Sequence, residues 1–250
     1  SKPLYLQVGY FDPHNPYDHY PLESEQLLHP EYYPEVIPDD VSAMPEALQL
    51  EAHYHCPATL GATGDTNRKI RTGYFAGVSF LDQQIEKIFQ ALKDEGIFDN
   101  TLIIYTSDHG DMLGDHGLYS KGAMFYEQGV NVPLIVKFPH QTQGCRSEDL
   151  VMLEDMFSTI YTAAGGDASF RPESLPLQGE KKHEFAMTEY RGCGKFDLMG
   201  FPHILHATMI RTAEWKLNLY HDTCDGQLFH LTEDPQEKNN LYHDPACAGK

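Results

Sequence analysis

Apolar side chains with a period of 3.6 residues mark the clearest helix of the chain, between residues 71 and 95. The residues that carry this period are Tyr74, Val78, Leu81, Ile85, Ile88 and Leu92. Gly96 follows them and is typical of the residue just past a helix C-terminus. The β-branched run TLIIY comes next and predicts a strand over 101–106.

Further segments extend an alternation of strands and helices. PLYLQVGYF (3–11) and VPLIVKFP (132–139) predict two short buried strands. Ser147 is a candidate cap for a helix that runs to about Ala164 and ends at Gly165 and Gly166. This alternation predicts an α/β fold, with part of a mixed, mostly parallel sheet flanked by helices.

The pattern changes after residue 166. ATMIRT (207–212), WKLNLYH (215–221) and QLFHL (227–231) are short strand patterns separated by turn residues, and they predict a small antiparallel sheet. We therefore divide the chain into an α/β catalytic part (1–166) and a small C-terminal antiparallel subdomain (167–250). The segment 18–68 lacks a steady period and is rich in Pro, His, Tyr and acids, which predicts a long, ordered and functional surface excursion.

The stretch SDHGDMLGDHGLYSKG (107–122) carries the candidate chemistry. Asp108 and His109 lie just past a strand end, where open α/β sheets bind ligands, and Gly110 lets the strand break so that neighbouring side chains converge. Carboxylate oxygen and imidazole nitrogen are both metal ligands, although Ca²⁺ takes six or more donors. The sequence thus predicts part of a metal site, while an Asp-His pair is also typical of a turn or cap.

Two further residues could face the same edge of the sheet. Lys121 would neutralise a bound oxyanion, although a single lysine is also typical of a solvated surface. His14, at the end of the strand predicted over 3–11, is the second candidate. The remaining polar residues of the loop are Asp111, Asp115 and His116, for which bracing of the loop is favoured over direct ligation.

Composition narrows the classes of protein. Eighteen basic and 37 acidic residues give a net charge of −19, which argues against a nucleic-acid-binding surface. No run approaches the ~20 apolar residues of a membrane span. The five cysteines form no C-x-x-C pair, and a bridge between Cys193 and Cys224 stays open. No N-x-S/T sequon is present, which favours a periplasmic, secreted or cytoplasmic bacterial protein over a glycosylated lysosomal one.

Three segments together resemble the sulfatase family of the alkaline-phosphatase-like superfamily, from about residue 3 to 245. SDHGDMLGDHGLYSKGAMFYEQGVNVPLIVKFP resembles a signature block of that family. QVGYFDPHNPY is similar to its strand that ends in a Pro-His-x-Pro element, and LFHLTEDPQEKNNL resembles its closing hairpin.

The resemblance implies a role for each candidate. Asp108 and His109 match metal ligands, the second of which is Asn in many sulfatases. Lys121 matches a lysine that contacts the sulfate and the bridging oxygen. His14 matches a histidine that contacts the sulfate or leaving group and acts as general acid. The implied cofactor is one divalent metal, Ca²⁺ in most sulfatases, with Mn²⁺ or Zn²⁺ as alternatives that suit His109.

One departure from the family concerns the nucleophile. In sulfatases it is a cysteine in a C-x-P/A-x-R motif, oxidised to formylglycine, which lies upstream of the Pro-His-x-Pro element together with two metal-binding aspartates. Cys56 stands in CPATL, without the arginine and downstream of His14, so we do not assign it as the nucleophile. We therefore expect the chain to be the C-terminal half of a sulfatase, with the formylglycine in an N-terminal segment outside it.

The expected function is hydrolysis of sulfate esters, completed by that N-terminal half of the same protein. The first alternative is a phosphonate monoester or phosphodiester hydrolase of the same superfamily, and the second is a non-catalytic homologue that binds sulfated ligands. The expected substrate is a sulfated small molecule or glycan, recognised by loops within 18–68 and 190–206. The sequence leaves the oligomeric state open.

Overall fold

A helix of 31 residues, α2 (Gly64–Asp94), is the longest element of the computed structural model. The structure describes residues 3–55, 64–192, 205–221 and 223–249. This helix confirms the prediction over 71–95 and begins seven residues earlier. Its end is closed at Gly96, where φ is +67° and the amides of Gly96 and Ile97 donate to carbonyls of the last turn. Within the described residues, no helix is long and apolar enough to cross a membrane.

The strands β1 (Ile103–Thr106) and β2 (Leu134–Lys137) confirm two predicted strands, but they pair antiparallel. The expectation of a mostly parallel sheet is therefore not confirmed, because both sheets of the described chain are antiparallel. Thr106 lies opposite Leu134, so the chain between them joins adjacent strand ends. It does so through residues 107–122, here called the candidate loop, and through one helical turn, α3 (Glu127–Val130). A parallel pair of strands would need a crossover connection instead.

The strand predicted over 3–11 is wrong for the chain as described. The segment has no regular secondary structure, joins neither described sheet and is exposed along its length. Leu4, Leu6 and Phe11 are 70%, 63% and 67% exposed. A strand is defined by backbone hydrogen bonds to a neighbour, and the described residues supply no such ladder here.

The second sheet has four antiparallel strands in the order β3–β4–β5–β6. Their bounds are β3 (Ala186–Arg191), β4 (His206–Arg211), β5 (Trp215–Tyr220) and β6 (Gly226–His230). The last three confirm the predicted C-terminal sheet. The sequence AMTEYR of β3 was missed because its alternation is between half-buried and exposed positions rather than between apolar and polar ones.

The helix expected from Ser147 begins later, as α4 (Asp155–Ala163). Ser147 instead forms a local turn, in which its hydroxyl donates to Asp149 at 2.7 Å and accepts from the Asp149 amide at 3.1 Å. Such local side-chain bonds compete with helix formation. The predicted end of the helix is confirmed at Gly165, where φ is +85°.

Within the described residues, the excursion after residue 18 contains several short helices and does not stay on the surface. It contains a missed helix, α1 (Glu46–His55), whose Leu48 and Ala52 are fully buried. Three short 3₁₀ turns precede it, at Leu22–Leu27, Pro30–Tyr32 and Val41–Ala43. Cys56 lies outside the described residues.

The main core joins α1, the candidate loop and the second sheet. Its buried side chains are Met44, Leu48, Ala52, Met112, Leu118, Ala123, Met124, Phe125, Tyr126, Ala207, Met209, Tyr220, Phe229 and Leu231. The loop is thus anchored by apolar burial on residues from either side of position 166. The division into 1–166 and 167–250 stays a prediction.

A buried lysine ties the end of the loop to this sheet. Lys216 of β5 is fully buried, and its Nζ lies 2.6 Å from Glu127, 2.7 Å from Glu237 and 3.1 Å from the carbonyl of Phe125. Burial raises the pKa of the Glu237 carboxyl, which Lys216 opposes. Burial acts in the same direction on Glu127, but Lys216 and Arg211 hold the pKa of that carboxyl below its ordinary value.

We expect Lys216→Ala to lower the free energy of unfolding by about 3–5 kcal/mol, because it leaves the buried carboxylate of Glu237 without its cation and Glu127 with Arg211 alone. Urea unfolding of the protein that contains this chain measures the loss. The matched control is Lys238→Ala, an exposed lysine for which a change within about 0.5 kcal/mol is expected. Equal unfolding midpoints for the two variants would contradict a structural role for Lys216.

Candidate active site

The candidate loop is built from turns that need unusual backbone angles. Positive φ values occur at Leu113, Gly114, His116, Gly117, Ser120 and Gly122. Gly110 is required for space, because a Cβ there would lie 1.9 Å from the carbonyl oxygen of Gln128. The sequence therefore folds into a tight, doubly turned loop between the ends of β1 and β2.

Asp111 closes this loop with one carboxylate. Its Oδ1 accepts the backbone amides of Leu113 at 3.0 Å and Ser120 at 3.1 Å. Its Oδ2 accepts the hydroxyl of Tyr17 at 2.6 Å. The predicted bracing role of Asp111 is confirmed, and the bond to Tyr17 ties the loop to the segment that carries His14.

Asp115 and His116 brace the loop from the other side. Asp115 accepts the Ile37 amide and the Gln128 side chain, each at 3.0 Å. His116 is fully buried, stacks on Tyr126 with ring centroids 3.9 Å apart, and has its Nδ1 3.1 Å from Asp39. These contacts join the loop to the excursion that precedes α1.

Asp108 and His109 place a carboxylate oxygen and an imidazole nitrogen beside each other. His109 Nδ1 lies 2.8 Å from the carbonyl oxygen of Gly110. A carbonyl only accepts, so Nδ1 carries the proton and Nε2 presents its lone pair. That Nε2 lies 3.8 Å from Asp108 Oδ2, on a side chain that is 86% exposed. Two ligand atoms of one cation are about 3.4 Å apart when each bond is about 2.4 Å, so the pair can share an ion after a small adjustment.

Lys121 and His14 contact each other directly, through Nζ and Nε2. His14 Nδ1 lies 2.6 Å from the carbonyl oxygen of Asn15, so this nitrogen carries the proton and Nε2 accepts from the lysine. Lys121 also donates to Asn15 Oδ1 at 3.3 Å. The pair therefore joins a cation to a basic nitrogen.

The rings of His14 and His109 lie edge to face, with centroids 6.4 Å apart. The structure therefore brings the four predicted residues into one row, from Asp108 through His109 and His14 to Lys121. Among the described residues, no group of three or more His, Cys, Asp or Glu side chains is placed to hold a metal. The row therefore consists of two metal-type donors, on Asp108 and His109, beside the pair of Lys121 and His14, which we call the cationic pair.

Sequence reasoning missed Asn15 and Tyr17, which hold the row in place. Their hydrogen bonds join residues more than 90 positions apart, so no local sequence pattern predicts these contacts.

Other candidates lie away from the row or outside the described residues. Within the range 190–206 that was expected to contact substrate, Arg191 ends β3 and is exposed, whereas Cys193 lies outside the described residues. Cys224 is a free, exposed cysteine. An apolar cavity of about 350 Å³ lies between α2 and the first sheet, and none of the four predicted residues lines it.

Two family profiles match the chain. The profile described as Sulfatase matches residues 1–166, and the profile described as N-sulphoglucosamine sulphohydrolase, C-terminal, matches residues 114–249. The first covers the candidate row and more than half of the chain.

Sequence relatives of the chain are also sulfatases. The uncharacterized sulfatase YidJ of Escherichia coli K12 is 32% identical over 98% of this chain, which covers 48% of YidJ. The choline-sulfatase of Rhizobium meliloti is 30% identical over 98% of this chain and 47% of its own length. The chain thus spans about half the length of these relatives.

Solved structures share the fold. The phosphonate monoester hydrolase of Silicibacter pomeroyi aligns with a TM-score of 0.77 at 22% identity, over 91% of this chain and 50% of the other. BT4656, solved with its substrate D-glucosamine-2-N,6-O-disulfate, aligns with a TM-score of 0.60 at 22% identity, over 83% of this chain and 45% of the other. The chain therefore shares the fold of these two enzymes, and the match to the Sulfatase profile shows that it belongs to the sulfatase family.

Proposed function

We propose that this chain supplies half of the active site of an enzyme that hydrolyses sulfate esters. The observation that carries the proposal is the row from Asp108 to Lys121, in which two metal-type donors stand beside a lysine–histidine pair. Membership of the sulfatase family supports the reaction class. In that reaction the bond between sulfur and the ester oxygen breaks, water adds to sulfur, and the alcohol leaves with a proton.

The donor atoms of Asp108 and His109 fit a divalent cation. One is an exposed carboxylate oxygen and the other an imidazole lone pair that the Gly110 carbonyl turns outward. Ca²⁺ is the proposed ion, with Mn²⁺ or Zn²⁺ as alternatives, and either kind would polarise the oxygens of a bound sulfate. The remaining ligands have to come from outside the described residues, since Ca²⁺ takes at least six.

Lys121 and His14 supply the charge and the proton. The ammonium of Lys121 would donate to a sulfate oxygen and offset its charge, which matters in a chain of net charge −19. The contact between Nζ and Nε2 holds a proton at the point where an ester oxygen needs one on leaving. His14 Nε2 would take this proton from the ammonium of Lys121 and pass it to the leaving oxygen.

The nucleophile is proposed to come from a segment outside this chain. We propose that the chain corresponds to the C-terminal half of a sulfatase and that the N-terminal half carries a formylglycine. This residue would supply a hydrated aldehyde oxygen for attack on sulfur. The chain covers only about half of its curated relatives, which is consistent with a second half.

A sulfated glycan or a sulfated small molecule is the proposed substrate. BT4656 was solved with a disulfated glucosamine, and a choline-sulfatase is among the curated relatives. A second candidate function is hydrolysis of phosphonate monoesters or phosphodiesters, which is favoured by the imidazole donor of His109, because imidazole suits transition metals.

We expect Asp108→Ala to lower kcat/KM for a sulfate ester by at least about a hundredfold and to reduce the metal content, because one charged ligand is lost. Turnover of an aryl sulfate and elemental analysis of the purified complete protein measure the two effects. Asp99→Ala, at an exposed acid before β1, is the matched control. Near-normal turnover by Asp108→Ala would remove Asp108 from the site.

The substrate class separates the two candidate functions. We expect kcat/KM to be higher for an aryl sulfate than for a matched aryl phosphonate, because a sulfate offers three free oxygens to the cation and Lys121, whereas a phosphonate monoester offers two. The reverse order would assign the protein to the phosphonate branch. Binding of sulfated ligands without turnover would indicate a non-catalytic homologue.

The native mass tests the second half. We expect the intact protein to exceed the 28.4 kDa of this chain, as one longer polypeptide or as two chains, and to yield a tryptic peptide with formylglycine. Intact and peptide mass spectrometry give both answers. A native protein of 28.4 kDa without that residue would contradict the proposed nucleophile.

A further inference from the structure

Asn15 lies between the two members of the cationic pair and contacts each of them. Its backbone carbonyl accepts from His14 Nδ1 at 2.6 Å. Its side-chain Oδ1 accepts from Lys121 Nζ at 3.3 Å. One residue therefore fixes which nitrogen of His14 faces the lysine and where the lysine ammonium lies.

The ammonium of Lys121 needs such a hold. The direction in which Lys121 leaves the main chain is set by its two neighbours, Ser120 and Gly122, which have positive φ values of +63° and +147°. The four-carbon stem beyond Cα has many rotamers, and each hydrogen bond to Nζ reduces their number. The bonds to His14 and Asn15 both hold the ammonium toward the row of site residues.

The chemistry of the holding group also matters. An amide oxygen accepts a hydrogen bond without bringing a negative charge, so no neighbouring charge offsets the ammonium where an anionic ligand would bind. A carboxylate at the same position would form an ion pair with Lys121 and repel that ligand. In a chain with 37 acidic and 18 basic residues, a neutral acceptor beside this lysine preserves local positive potential.

We propose that Asn15 is the positioning residue of Lys121 and that its neutral side chain determines how strongly the site binds an anion. This inference rests on the proposed function, which it deepens. It assigns a role to a residue that contacts both proposed catalytic groups and whose position in the sequence carries no such signal.

The test is a double-mutant cycle in the complete protein, with Asn15→Ala, Lys121→Ala and the pair combined. We expect Asn15→Ala to lower kcat by about tenfold with a small change in KM, because a bond to a charged group is lost. In the Lys121→Ala background the same change is expected to have an effect below about twofold, since the held group is gone. An equal loss in both backgrounds would overturn the inference.

Asn15→Asp provides the second readout. The isosteric carboxylate is expected to raise KM for an aryl sulfate at least about tenfold, and to raise it more than Asn15→Ala does. Asn100→Ala and Asn100→Asp, at an exposed turn before β1, are the matched controls and should leave both constants unchanged. A KM for Asn15→Asp equal to that of the wild type would contradict the role of the neutral amide.

A readout without activity separates this inference from the proposed function. Competitive acetylation of Lys121, followed by mass spectrometry, reports the environment of its Nζ in wild-type and Asn15→Ala proteins. If the wild type hydrolyses no sulfate or phosphonate ester, the proposed function fails. A Lys121 acetylation rate changed at least about threefold by Asn15→Ala would still support the positioning role, and an unchanged rate would overturn it.

Discussion

The carboxylate of Asp111 is the interaction on which the rest of the site depends. The chain leaves β1, turns repeatedly and must present Lys121 in one direction. Asp111 accepts the amides of Leu113 and Ser120, and thereby closes the loop immediately before the lysine. It also accepts the hydroxyl of Tyr17, three residues after His14. Hydrogen bonds to a charged group contribute about 1.5–3 kcal/mol each, so one carboxylate fixes the distance between the two halves of the cationic pair.

Polar contacts with the C-terminal sheet hold the chain just after the loop in place. Lys216 of β5 bonds to Phe125 and Glu127 at the end of the loop. Beside it, the buried hydroxyl of Tyr126 accepts from Gln227 at 2.7 Å. Apolar contacts alone would tolerate a shift of the loop along the sheet, whereas these directional bonds are satisfied in one register. The C-terminal sheet therefore supports the loop of the candidate row, whose side chains all come from earlier in the chain.

Local patterns predicted the parts of this structure that depend on local physics. The period in α2 and the β-branched runs of β1 and β2 are properties of short segments, and they were predicted correctly. The antiparallel pairing of β1 with β2, and the lack of a described partner for 3–11, depend on which segments meet in space. The same limit applies to the site. The residue types Asp108, His109, Lys121 and His14 were visible, but the bond between Tyr17 and Asp111 joins residues 94 positions apart.

The loop contains the triplet Asp-His-Gly twice, at 108–110 and 115–117, and the two copies have different environments. Asp115 and His116 bond to Ile37, Gln128 and Asp39, and His116 is fully buried. In the first copy, Asp108 accepts bonds from its neighbours Ser107 and His109 and stays 86% exposed.

The two triplets have the same intrinsic chemistry, so the difference between them comes from the surrounding fold. Residues of the excursion and of the turn after the loop contact the second triplet and occupy the Asp115 carboxylate and the Nδ1 of His116. The first triplet lies at the open strand end, where the Gly110 carbonyl orients the His109 ring and leaves Nε2 directed at the Asp108 carboxylate. The fold therefore buries the histidine of the second copy of the motif, whereas in the first copy the Asp108 carboxylate and the His109 ring stay at least partly exposed.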